Sequence, residues 1–147
     1  MTKKNETMSS KEISRKLFRK NLATEIVEIK NTDIKFKVQA LPEISLAYIR
    51  KESSDEYGKT DDLKITSMFV KFGLIEASGI TDEDDQPVSL EFETIHILNT
   101  PVQCLTDAFV SKLSRILKIN LASIISEISE LTNLEQMKLE FFRKSGH

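Results

Sequence analysis

Tryptophan is missing from this chain of 147 residues, and glycine (4), proline (3) and cysteine (1) are scarce. Each shortage excludes something. Four glycines are too few for a glycine-rich loop that cradles phosphate through bare backbone. Few glycines and prolines also argue against a turn-rich sandwich and for long regular elements. A lone Cys104 cannot close an internal disulfide, so a reducing compartment, the cytoplasm, is the expected location. One Cys and two His cannot complete a usual zinc site without carboxylates. No apolar run approaches the ~18 to 20 residues that span a bilayer. The opening MTKKNETMSSKEISRK is basic but lacks the apolar stretch of a signal peptide.

What is present is charge and periodicity. Charged residues make up 30% of the chain and apolar ones 39%, which suits a helical protein with a modest core. The formal net charge of -2 hides an asymmetry. Seven Lys or Arg stand against Glu6 and Glu12 in residues 1–24, a balance of +5; with totals of 21 basic and 23 acidic residues, the remainder carries -7. The expected organisation is therefore a basic, partly disordered arm over residues 1–24 and one globular domain over residues 25–147. Within the arm, Ile13, Leu17 and Phe18 share one face of a weak helix surrounded by Lys and Arg. That face covers only a turn or two and has no tryptophan anchor. A membrane or nucleic-acid contact is thus disfavoured relative to docking on protein.

The predicted fold class is α+β, a small antiparallel sheet with four to five helices and a helical C-terminal half. Val27, Ile29, Ile34, Phe36, Val38 and Ala40 alternate with polar neighbours, which predicts a half-buried hairpin turning at Asn31-Thr32-Asp33. Pro42 fits the start of a helix through Ile44, Ala47 and Tyr48. A second helix is predicted from Leu63 to about Ala77, with Ile65, Met68, Phe69, Phe72 and Ile75 as its stripe and Gly73 off it, where another backbone comes close. Val88, Leu90 and Phe92 alternate again, suggesting a third strand near residues 88–92 beside the hairpin. Thr106 and Asp107 open a helix with Phe109, Leu113, Ile116 and Leu117 on one face. Asn120 caps the next, which carries Leu121, Ile124, Ile125, Ile128 and Leu131. Thr132-Asn133-Leu134-Glu135 has the spacing of a capping box, so a break and restart are expected there, giving a hinged amphipathic pair.

No catalytic constellation emerges. Asp82, Asp84, Gln86 and Glu93 match some places of a calcium loop, but Pro87 falls where a positive φ is needed. His96 and Cys104 could in principle form a thiolate–imidazole pair, yet nothing around either would orient it. Glu91 and Glu93 read as a wet face. The expectation is a non-enzyme with no cofactor and no metal, acting through protein contacts. The last helical stretch, with Leu134, Met137, Phe141 and Phe142, is the candidate partner-binding surface.

The layout resembles a family. The hairpin from Ile26 to Ala40, then Val88, Leu90 and Phe92, and above all Ile125, Ile128, Ser129, Leu131, Thr132 and Glu135, are similar in order to the tail assembly chaperones of long-tailed bacteriophages. The resemblance spans about residues 25–138. It implies a cytoplasmic, non-catalytic protein of the infected host cell that binds and solubilises the tape-measure protein during tail morphogenesis. That partner is a long helical chain whose apolar faces would otherwise aggregate. The four residues above would then contact this client or mediate self-association. Two other classes fit the same features: a structural subunit of a tail or baseplate, and a small nucleic-acid-binding adaptor using the basic arm.

Overall fold

The computed structural model describes residues 22–145, with the side chains at positions 138, 139 and 141–145 outside the description. The helix anticipated around Ile13, Leu17 and Phe18 lies outside the described residues. The elements run β1 (Thr24–Glu28), β2 (Lys35–Gln39), α1 (Glu43–Ser53), α2 (Asp62–Gly73), β3 (Leu74–Ser78), β4 (Phe92–Ile97), β5 (Thr100–Leu105), α3 (Asp107–Arg115) and α4 (Ala122–Ser145). The class is α+β, with one three-stranded and one two-stranded antiparallel sheet and four helices among the described residues.

The predicted hairpin is β1 and β2, paired so that Val27 opposes Phe36. Asn31 takes the positive φ of 64° in its turn, a conformation Asn tolerates better than branched residues. Alternation buries Phe36 and Val38 completely. Each such side chain contributes roughly 1.5–3 kcal/mol by leaving water.

The third strand of this sheet is β3, not the stretch near residues 88–92. It pairs with β2, giving the order β1-β2-β3. The helix predicted to reach Ala77 stops at Gly73, a poor helix former, and Leu74 then enters the sheet. Ile75, assigned to the helical stripe, belongs to β3. Pairing with β2 supplies the backbone hydrogen bonds that a continued helix would have made. Val88 and Leu90 are half-buried outside any strand. β4 begins at Phe92 and pairs with β5 as a separate hairpin. Its two-residue turn, Leu98-Asn99, has φ of 49° and 64°, as a tight right-twisted hairpin requires.

Helix starts follow the caps. Asp61 accepts the N–H groups of Leu63 and Lys64 at the head of α2, Thr106 accepts that of Phe109 at α3, and Asn120 accepts that of Ala122 at α4. Helix α3 ends at Arg115, so Ile116, expected on its buried face, is 62% exposed. α2 lies at the centre, against α1, α3, α4 and β5, while α4 crosses β1 and β2.

The expected break in the last helix is absent. α4 is one helix of 24 residues. The Thr132 hydroxyl donates to the Ile128 carbonyl (2.7 Å) and accepts the Leu41 N–H (2.9 Å). Glu135 Oε1 accepts the Ala23 N–H at 3.0 Å. The two residues of the supposed capping box therefore reach outward to the chain flanking the hairpin. Local spacing could not reveal that, because both partners are some hundred residues away in sequence.

Candidate functional site

A groove of about 390 Å³ lies between α1, α2 and α4. Leu46 and Ile49 of α1 and Ile65 and Phe69 of α2 form apolar walls, and Ser129, Thr132, Asn133 and Gln136 of α4 form a polar wall. Arg50 and Thr60 stand at its margin. The helical spacing of each set explains the convergence. Leu46 and Ile49 are three apart, Ile65 and Phe69 four, and Ser129, Thr132, Asn133 and Gln136 recur at three- and four-residue steps, so each helix turns one stripe toward the gap. The volume lies at the small end of the range for ligand clefts. It can take one or two side chains of a partner rather than a whole helix.

Of the candidate partner-binding residues, Leu134 and Met137 are on the surface, 49% and 65% exposed. At 100° per residue, Leu134 is turned about half a revolution from the direction shared by Thr132 and Gln136, and Met137 about a third. The structure thus places both on the helix that walls the groove, but on its other flank. The side chains of Phe141 and Phe142 lie outside the described residues.

A second cluster escaped the sequence reading. Lys71, on the otherwise apolar end of α2, is 9% exposed. Its Nζ donates to Asp107 Oδ1 at 2.7 Å and lies 3.6 Å from Glu93 Oε2. Burial works to lower the Lys71 pKa, but the hydrogen bond and charge of Asp107, aided by Cys104 and Glu93, outweigh it and leave the pKa raised. Burial pushes the Cys104 thiol up, with Lys71 opposing and Glu93 and Asp107 reinforcing. A thiol held protonated is a poor nucleophile. The pKa of Tyr48, which lines a cleft together with Glu52, Lys71 and Asp107, is likewise raised, by burial first and Glu52 next. Lys71 therefore ties α2 to β4 and α3. No spacing signal announces it, because Glu93 and Asp107 are distant in the chain.

The other chemistry-bearing residues are dispersed. His96 opposes Pro101 and Cys104 opposes Glu93, which puts the imidazole and the thiol on opposite faces of the β4–β5 hairpin. Asp82 Oδ1 accepts the N–H groups of Asp84 and Gln86, both at 2.9 Å, so this carboxylate orders its own loop. No described helix is long and apolar enough to cross a membrane.

No family model, curated protein or solved structure matches this chain.

Proposed function

We propose that this protein is a non-enzymatic chaperone of phage tail assembly that binds and solubilises the helical tape-measure protein. Support comes from one observation above the others: the groove between α1, α2 and α4 has apolar walls from Leu46, Ile49, Ile65 and Phe69, and the same α4 exposes Leu134 and Met137 beyond it. An amphipathic client helix offers side chains at three- and four-residue spacing, and one or two of them fit the groove as knobs. Leu134 and Met137 then add contact along the flank, the flexible thioether adapting to unequal client segments. Asn133 and Gln136 form a polar boundary between the two apolar areas, which limits the contiguous greasy surface of the unloaded chaperone.

The test is co-expression with a tape-measure protein. The intact chain raises the soluble yield of the client and co-purifies with it. Ser129→Phe, which fills the groove, lowers that yield while leaving circular dichroism unchanged. The reading fails if the client's solubility is indifferent to the chain, or if the chain is recovered at fixed copy number in finished particles, as a tail or baseplate subunit would be.

A further inference from the structure

The groove between α1, α2 and α4 has a charge character opposite to that of the body around it. Residues 25–147 balance -7, yet among the described residues no carboxylate lines the groove. Arg50 is the one charged side chain that does. The side chains of Arg50, Asn133 and Gln136 also have no hydrogen bond or ion pair among the described residues. Their guanidinium and amide N–H groups are therefore free to serve an acceptor from outside. Ser53 and Thr132, by contrast, already donate within the fold, to the carbonyls of Ile49 and Ile128.

Helical phase puts these donors beside the apolar walls. Arg50 follows Leu46 by four positions, so it continues the stripe of α1 that Leu46 and Ile49 begin. It stands ~6 Å beyond Leu46 along the helix axis, little more than one turn. Asn133 and Gln136, three apart, share the polar wall on α4. An apolar gap is thus bordered by N–H donors from two helices.

We propose that the groove selects client helices in which a Glu or Asp lies three or four residues from the apolar knob. Such a pair occupies one face of a helix, roughly 4.5 to 6 Å apart along its axis, which matches the step from Leu46 to Arg50. The knob enters between Leu46, Ile49, Ile65 and Phe69. The carboxylate then accepts N–H bonds from Arg50, with Asn133 or Gln136 as a second donor. Bonds from guanidinium to carboxylate are charge-assisted and stronger than neutral ones. A Gln at the same client position keeps an acceptor oxygen but loses the charge, and a Lys there faces Arg50 and is repelled. The inference rests on the client reading of the groove and adds the chemistry by which client segments are chosen.

Fluorescence anisotropy with the full chain and labelled synthetic helices tests it. The probes are three end-blocked peptides of about 16 residues, long enough to be helical. They share one Leu pair at (i, i+4) and differ only in carrying Glu, Gln or Lys four positions further on. At low salt the Glu peptide binds about tenfold more tightly than the Lys peptide, with the Gln peptide between them. The gap narrows as salt is raised. The acidic body by itself favours the Lys peptide, so a preference for Glu reports the groove. Arg50→Glu reverses the order and Arg50→Gln flattens it, while circular dichroism stays unchanged because Arg50 is exposed. Equal binding of the three peptides, or tightest binding of the Lys peptide, overturns the selectivity; if Ser129→Phe still blocks binding, the groove remains a helix site. A preference for Glu that survives Arg50→Glu overturns it too. Failure of all three peptides to bind, or binding that Ser129→Phe leaves intact, overturns the client reading of the groove and this inference with it.

Discussion

Gly73 and Ile128 meet where α2 crosses α4: a methyl group on Gly73 would come 2.5 Å from Ile128 Cδ1 and 2.9 Å from Cγ1 and Cγ2. Ile128 is fully buried, so it has little room to retreat. The anticipated close approach at this glycine is made by a side chain of α4.

Gly73→Ala should therefore destabilise the protein by about 1–3 kcal/mol, the usual cost of overpacking, in spite of alanine's better helix propensity. Urea denaturation measures it. Pairing the change with Ile128→Ala should make the two losses less than additive, because the second substitution removes the atoms that the first would strike.

Thr132 is 4% exposed and joins α4 to Leu41, itself 3% exposed. Thr132→Val keeps the shape but leaves the buried Leu41 N–H without its acceptor. A loss of about 1–3 kcal/mol in unfolding free energy is expected. Thr132→Ser keeps the hydroxyl and should cost less than Thr132→Val. Equal losses for the two would mean that the methyl group, not the hydrogen bond, matters.

The alkaline limb of stability should be steep. Cys104 and Lys71 both have pKa values raised in the folded state, above ordinary values of 9.0 and 10.5. The folded chain therefore holds these protons more tightly than the unfolded chain. Their stabilising contribution is complete below the ordinary values and is lost as pH rises through the folded ones. Thermal melts should show Tm falling as pH rises past 9.0, where the unfolded thiol is half ionised. Cys104→Ala should lower Tm at neutral pH through the cavity it leaves, but flatten the onset of the alkaline fall.

Met137→Lys probes the proposed client surface. At 65% exposure the substitution should change stability by no more than about 0.5 kcal/mol. Under the chaperone reading it should still weaken client co-purification. Pairing it with Phe141→Asp should weaken binding further while the β1–β2 hairpin stays folded. Global unfolding of the double variant by circular dichroism would place that end of α4 in the core.

The β1–β2 hairpin was legible because period-two alternation and a turn at Asn31 are local signals. The starts of α3 and α4 were legible because Thr106 and Asn120 each cap their own first turn. Failures came where a distant group competed for the same residues. Ile75 fits a helical stripe, but β2 offers it a strand. Thr132 and Glu135 fit a capping box, but Leu41 and Ala23 claim their side chains. For the candidate site, helical phase grouped Leu134 and Met137 on one apolar side of the last stretch, but phase alone does not tell an exposed apolar side from a buried one. The groove did not, because its walls come from three helices, and Lys71 gave no sign of its carboxylate partners.

The bond from Leu41 to Thr132 spans 91 positions of sequence, and that span has a temporal side. During synthesis the β1–β2 hairpin leaves the ribosome long before α4, which crosses it, has been made. Until α4 emerges the hairpin lacks the helix that crosses it, so this long-range closure follows the local one in the order of synthesis.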